Sequence, residues 1–527
     1  MFNRILCGVA ASAILFAAGV GHAQDISPQR LSDHIKVLAD DSFEGRFPGQ
    51  VGEELTLNYL QSQYEALGLE PGGADGSWRQ PVELLRLTPA QPPVANYVVE
   101  GVAHDLATSA SFRAGAGDGR VTIADAPVVF AGFGIVAPER NWDDYGDADL
   151  TGKVVVLLDG QPDVFGEDPN FYGSGRHKTD EALKRGAAGV VTVYASPRRA
   201  LGRATRPRMT IVGASEPRFT GSISTEAMTQ LAAAKGQDFA ALQSAAEAQA
   251  VRPLGLGVTL NLDIAETPEV IHSNNLLAKI TGSERPDEYV VYSAHWDHVG
   301  VAADPGPDGD RIFNGAWDNA SGTSGLIEVA RAFKEGPAPK RTVIFLHVTA
   351  EEQGLLGSEW YGAHPIYPLE RTAADINIDM LPFTPETRTL ALFGFGKSSL
   401  EDDLNVLAQT QGRTVVGDGE PEQGFYYRSD HFNFAAVGVP AIMPWTAVDF
   451  VEGGEAVGKP YYQGQMAAYY HGLKDEWRAD YDFTAAVQNL QLLYRLGLQV
   501  ADSTDWPQWK PGAEFEAIRA ASDAARR

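Results

Sequence analysis

The spacing of apolar residues changes character twice along the chain. Between Ser27 and Leu69 they recur at helical intervals, in LSDHIKVLADD and GEELTLNYLQSQYEALGL, on either side of the glycine-containing loop FEGRFPG at Phe43 to Gly49. From about Asn96 to Asp263 the pattern becomes short β-type runs broken by Gly, Pro and Asp, as in APVVFAGFGIVAP and GKVVVLLDG. Helices are expected there at His177 to Gly189 and near Met228 to Ala250. From Asn275 onward apolar strands alternate with helices: NLLAKI, EYVVYSAH, a helix from Ser321 to Lys334, RTVIFLHVTA, a helix near Leu356 to Tyr361, DINIDM and VPAIMPW. That alternation predicts an α/β sheet. The middle segment therefore reads as an insert whose flanks form one domain. The expected boundaries are 24–95, 96–263 and 264–505, followed by a helical tail at 506–527.

The first residues change the picture of where the chain works. Arg4 precedes an apolar run from Ile5 to Val20, and Gly21-His22-Ala23 offers the small residues of a cleavage site, so residues 1–23 are expected to be an export signal and the protein periplasmic or extracellular. No later apolar run reaches the roughly 20 residues of a membrane span. The only cysteine, Cys7, lies in this leader, so no disulfide is expected in the mature chain. Lys and Arg number 42 against 69 Asp and Glu, a net charge of −27 over 527 residues. Such acidity excludes nucleic acid and anionic membranes as expected partners.

Candidate chemistry sits just past the apolar runs of the last segment. In chain order stand His295 and Asp297 in VVYSAHWDHVG, Asp318 in FNGAWDNASG, Glu351 and Glu352 in VIFLHVTAEEQGLLGS, Asp379 in ADINIDM, and His471 in AYYHGLKDE. Zinc takes imidazole nitrogen and carboxylate oxygen. Two zincs roughly 3.5–4 Å apart call for a bridging carboxylate plus one His and one carboxylate each. The inventory meets that need and predicts a two-metal hydrolase. Because consecutive strand side chains face opposite ways, Glu351 and Glu352 can both approach metals only where the strand has become a loop.

These motifs, with YRSDHFNF at Tyr427 to Phe434, resemble the dizinc exopeptidase family of bacterial aminopeptidases and glutamate carboxypeptidase. The middle segment is similar to the protease-associated domain inserted in that family, through VFAGFGIVAPERNWDDYGDADLTGKVVVL and ALKRGAAGVV. The resemblance implies a mixed-sheet α/β zinc exopeptidase fold of the phosphorylase/hydrolase-like kind, two Zn2+ per chain and a peptide substrate. It places Asp318 between the metals, His295 and Asp379 on one zinc, and Glu352 and His471 on the other. Glu351 is then left as general base, Asp297 as the orienter of His295, and Tyr470 as donor to the oxyanion. Cobalt or manganese would accept the same donors.

The remaining histidines are expected to be structural. His347 lies within a strand, His298 and His364 have no carboxylate partner left unexplained, and His431 in RSDHFNF is the rival of His471 for the last ligand position. Arg46 is expected either to line the entrance or to hold its loop. The acidic chain, with no arginine cluster evident near TAEEQGLLGS or YYHGLKDE, favours an N-terminal ammonium over a C-terminal carboxylate at the site. Arg428 is the exception, read as paired with a neighbouring acid. Aminopeptidase activity is the first expectation. A carboxypeptidase, a one-zinc glutaminyl cyclase and a non-catalytic binding protein of the transferrin-receptor branch are the alternatives. No chemistry is visible in the middle segment, which is expected to narrow access or to influence substrate choice.

Overall fold

The computed structural model describes residues 26–91, 94–106, 112–166, 170–194, 207–213 and 218–526. The expected export signal and its cleavage position lie outside them. Four parallel strands form the middle of the main sheet, in the order Arg341–Val348, Arg285–His295, Thr372–Asn377 and Ala441–Trp445. Antiparallel neighbours extend it on both sides: Leu254–Ile280 and then Arg79–Pro89 beyond the first, and Thr389–Phe393 beyond the last. Every residue of Arg341–Val348 is buried, which requires that both faces of the strand be covered and explains the apolar run Val343 to Leu346. Arg79–Pro89, toward the edge, alternates between buried and accessible residues.

Helices seal this sheet. Ser321–Glu335 packs against Pro28–Leu38, Val51–Leu67 and Thr484–Asp502. Contact is close enough that a Cβ on Gly497 would stand 1.8 Å from the Tyr292 hydroxyl, which donates to the Leu493 carbonyl at 2.7 Å. Tyr292, Phe345 and Leu346 are wholly buried, and side chains of that kind contribute about 1.5–3 kcal/mol each on leaving water.

The middle segment builds a second sheet with its own core. Val154–Leu158, Gly189–Tyr194 and Phe219–Ser224 run parallel, and Phe112–Ala116 lies antiparallel to the last of these. Helices Gly175–Leu183, Thr225–Ala233 and Phe239–Glu247 accompany it. Phe130, Phe219 and Leu256 centre a core separate from that of the main sheet. The boundary expected at Asp263 falls inside one continuous strand, Leu254–Ile280. Its first half pairs in the middle sheet with Arg120–Phe130, and its second half pairs in the main sheet with Arg79–Pro89. Among the described residues no helix is long and apolar enough to cross a membrane.

Candidate metal centre

Register brings the candidate residues to one end of the parallel strands. His295 stands opposite Val348, and Ser293 opposite Asn377. The residues that follow each strand, Glu351 and Glu352 after Val348 and Asp379 after Asn377, therefore emerge beside His295. That end, the carboxyl end, is where open α/β sheets place ligands. Asp318 comes from the buried turn Ala316–Ala320, ahead of the helix beginning at Ser321.

Asp318 divides its two oxygens. Oδ1 lies 3.4 Å from His295 Nε2, and Oδ2 lies 3.1 Å from His471 Nε2. Asp379 Oδ1 completes the first group, 3.2 Å from His295 Nε2. Glu352 completes the second, with Oε2 3.0 Å from His471 Nε2. The Glu351 carboxylate is 4.0 Å from His295 Nε2 and receives no hydrogen bond from the described residues. The expected rival, His431, is fully buried against the Tyr426 ring, 4.8 Å away between centroids, and belongs to neither group. His347 faces the Tyr64 hydroxyl at 2.6 Å in the core.

His298 requires a correction. Its Nδ1 lies 2.6 Å from Glu352 Oε1, and it is fully buried, so Glu352 divides its oxygens between His298 and His471. The metal-type group formed by His298, Asp318 and Glu352 makes His298 a donor to be weighed beside His471. A second histidine three residues after His295 was the available signal.

The backbone around these side chains is held in uncommon conformations. Ala350, Met380 and His471 have φ of 54°, 55° and 51° without being glycine. Left-handed residues of that kind cost on the order of 1 kcal/mol or more and persist where the surroundings fix them. At Gly315, φ is 58° and a Cβ would meet the Asp318 carbonyl at 2.2 Å, so the turn carrying Asp318 closes only on glycine. Asp475 anchors that turn, accepting from Trp317 N at 2.8 Å and Asp318 N at 3.0 Å. Ser429 Oγ donates to Asp379 Oδ2 at 2.7 Å. Asp297 accepts the Glu351 N–H at 3.0 Å, and its own carbonyl lies 3.2 Å from His295 Nδ1. Arg46 is buried, and its guanidinium donates to the carbonyls of Leu38, Trp296, Asn314 and Gly315, so it holds loops together below the centre.

Electrostatics test whether metal ions fit. Burial works against charge on His471, yet the Asp318 and Glu352 carboxylates push its imidazole up to about 10. His295 is likewise raised well above the usual histidine range, with burial opposed by Asp379 and Glu351. Burial lifts Glu351 well above the usual carboxylate range, His295 pulling the other way. Asp318, despite burial, is held well below that range by the two imidazoles. Protons on histidines thus stand where positive charge is needed. Divalent cations coordinated by the same nitrogens and oxygens would supply it, and the donor set is the one zinc takes.

A cleft of about 820 Å³ opens over the centre. Tyr470 lines it, its ring stacked on His471 at 3.9 Å, and its hydroxyl 3.5 Å from Arg428 Nη2. Arg176 and Arg208 of the middle segment line it as well. The arginine-poor surroundings expected from local sequence are therefore not what the fold builds. Arg428 also departs from expectation, because among the described residues it has no carboxylate partner; its guanidinium lies over the Phe425 ring at 4.8 Å.

Residues 275–494 match the model of peptidase family M28. The chain carries a peptidase family M28 domain. Over 137 residues it is 34% identical to Aminopeptidase NAALADL1 of Mus musculus, a match covering 25% of this chain and 17% of that protein. It is 33% identical over 135 residues to the Probable glutamate carboxypeptidase LAMP1 of Arabidopsis thaliana, covering 24% and 18%. The chain thus spans less than a fifth of the length of either relative. Its fold is similar to that of an aminopeptidase from Aneurinibacillus sp. strain AM-1, with TM-score 0.50, 20% identity, and coverage of 94% of this chain and 96% of that one. All the ligand-type side chains from His295 to His471 lie inside the M28 domain, with the donor set of a zinc metallopeptidase. Arg46, Arg176 and Arg208 lie outside it.

Proposed function

We propose that the protein is a zinc-dependent exopeptidase with a two-metal centre, acting as an aminopeptidase, and that the middle segment is a protease-associated domain bordering its entrance. The observation that carries this reading is Asp318, whose two carboxylate oxygens face separate groups of donors. His295 and Asp379 would hold one ion, Glu352 and His471 the other, and Asp318 both. Zinc bound there supplies polarisation of the scissile carbonyl and a water acidified to a pKa of about 7.

The protein's own groups divide the remaining work. Glu351, with no donor on its carboxylate among the described residues, takes a proton from the attacking water and returns it to the departing amine. The Asp297 contact to its backbone fixes the loop from which it acts. Tyr470 donates its phenolic hydrogen to the oxyanion, an interaction typically contributing roughly 2.7–4 kcal/mol in the transition state. Burial holds that phenol above the usual tyrosine range, so it keeps its proton. The carboxylates of the centre favour a free ammonium at the end of the substrate.

Acetylating the N-terminus of a cleaved peptide tests the end recognised. Turnover is expected to be nearly abolished while the released residue, in the unblocked peptide, is the N-terminal one. Release of the C-terminal residue from both peptides would establish a carboxypeptidase instead. That second reading has one observation in its favour, Arg428 beside Tyr470, which has no carboxylate partner among the described residues.

A further inference from the structure

Behind Asp379 a line of buried polar side chains runs back into the main sheet. Asp375 and Asn377, two residues apart on the strand Thr372–Asn377, share one face of it, and Ser293 of the neighbouring strand stands opposite Asn377. Asp375, Ser293 and Asn377 are wholly buried, and Ser429 nearly so. Ser293 Oγ lies 2.8 Å from Asp375 Oδ1 and 3.0 Å from Asn377 Oδ1. Asn377 Nδ2 lies 2.8 Å from Ser429 Oγ, and Ser429 Oγ lies 2.7 Å from Asp379 Oδ2. Four contacts thus link five groups, of which only Asp379 belongs to the metal centre.

Counting hydrogens fixes the direction of every link. Asp379, held to a metal as a carboxylate, can only accept. Ser429 has one hydrogen, which goes to Asp379, so toward Asn377 it can only accept. The Asn377 amide must then present its NH2 to Ser429 and its oxygen to Ser293. The single Ser293 hydrogen goes to that oxygen, and Ser293 has only a lone pair left for Asp375. Two oxygens 2.8 Å apart need a hydrogen between them, and among these groups only Asp375 can supply it. An ionised Asp375 would moreover sit in the core with one shared hydroxyl as its partner, since its Oδ2 receives no hydrogen bond from the described residues. Burial lifts its carboxyl well above the usual carboxylate range, with the Ser293 contact opposing and Asp430 adding to the effect.

We propose that Asp375 is a neutral carboxylic acid and a positioning residue, the head of a one-way chain of hydrogen bonds that runs through Ser293, Asn377 and Ser429 to Asp379. This rests on the reading of Asp379 as a metal ligand. Each link polarises the next, so the chain directs its donor strength onto Asp379 Oδ2 and leaves Oδ1, the oxygen 3.2 Å from His295 Nε2, for the metal. Were Asp375 ionised, it would draw the Ser293 hydrogen to itself and leave the Asn377 oxygen without a donor.

Two near-isosteric exchanges in the zinc-loaded full chain separate such a chain from packing. Asp375→Asn keeps a donor toward Ser293, so zinc affinity, measured by competition with a chelator, and kcat should change by less than about threefold, against the roughly 10- to 100-fold that loss of an outer partner costs. Asn377→Asp removes the NH2 and sets two acceptors against the one Ser429 hydrogen, so zinc affinity should fall about 10- to 100-fold. If that variant does not fold, Ser293→Ala cuts the chain at its second group and should lower zinc affinity in the same direction. Infrared spectroscopy at neutral pH reads the acid itself: the difference between wild type and Asp375→Asn should show the carbonyl band of a protonated carboxylic acid in the wild type. Carboxylate bands in its place, or an Asp375→Asn protein that loses zinc or does not fold, would mean an ionised acceptor and overturn the chain while leaving the metal centre standing. Unchanged zinc affinity in Asn377→Asp or Ser293→Ala would overturn it as well. Wild-type protein fully active without zinc would remove the metal reading, and with it the carboxylate from which the hydrogens are counted.

Discussion

In the M28 domain Asp318, Glu351, Glu352 and Asp379 converge on the imidazoles of His295, His298 and His471 at the end of the parallel strands, whereas in the middle segment the buried acid Asp144 and the buried ammonium of Lys178 rest on backbone or indole partners. The first arrangement draws protons onto His295 and His471, a place that divalent cations from outside can take. The second meets its buried charges from within the segment. Chemistry is therefore confined to one region, and the other reaches the cleft only through exposed or half-buried side chains such as Arg176 and Arg208. The difference predicts that perturbing the M28 centre changes metal content and turnover, and that perturbing the middle core changes stability alone.

The largest effect should come from chelation. Stripping metal is expected to abolish activity and zinc to restore it, and elemental analysis of the active protein should find two zincs per chain. Full activity in metal-free protein would break the contrast between the regions. Nearly as large, Glu351→Gln should lower kcat roughly 100- to 10,000-fold while both metals stay bound, because it removes proton transfer and no ligand. If that variant loses zinc and Glu352→Gln does not, the two glutamates have exchanged roles.

How far the sequence speaks for each region depends on what kind of evidence a function leaves in local patterns. The strand and helix alternation after Asn275 and the ligand-type residues at strand ends were legible, because strand direction and loop position follow from periodicity. Asp475, in AYYHGLKDE, is not legible as a support, since it acts on backbone N–H groups that no pattern marks. His298 is hidden because its partner, Glu352, also faces His471. Arg208 is invisible in the sequence as a cleft residue: it lies outside the M28 domain and reaches the cleft through the pairing of its strand at the edge of the main sheet. The strand Leu254–Ile280 likewise serves both sheets, so no change of texture could mark a clean boundary within it.

Intermediate effects separate ligands from supports. His471→Ala should lower occupancy of one zinc, and His431→Ala should leave both. His298→Ala is expected to weaken metal binding about 10- to 100-fold, as loss of a partner that fixes a ligating carboxylate does. Asp475→Asn should act similarly through the Asp318 turn. Metal titration followed by activity distinguishes them; complete loss of one zinc in His298→Ala with full retention in His471→Ala would hand the ligand position to His298.

The smallest effect belongs to the middle segment and involves no metal. Burial pushes Asp144 up to about 6, against hydrogen bonds from Ile135 N and Trp142 Nε1. Burial pulls Lys178 down to about 8, against the attraction of Asp159 and Asp144. Between about pH 4 and 6 the native Asp144 keeps a proton that the unfolded chain gives up, so stability falls as pH rises. Between about pH 8 and 10.5 the native Lys178 has lost a proton that the unfolded chain keeps, so stability climbs. Both groups are charged between about 6 and 8, and there this pair's contribution is least favourable. Lys178→Met should flatten the alkaline climb and raise stability at pH 7 by about 2 kcal/mol, roughly 3 from the relieved burial less about 1 for the lost bond to the Leu158 carbonyl. Urea unfolding from pH 5 to 10, with zinc content and turnover measured alongside, checks it. A variant that unfolds more easily at pH 7 and keeps the full climb, or one that loses zinc, would show that the two regions do not dispose of buried charge independently.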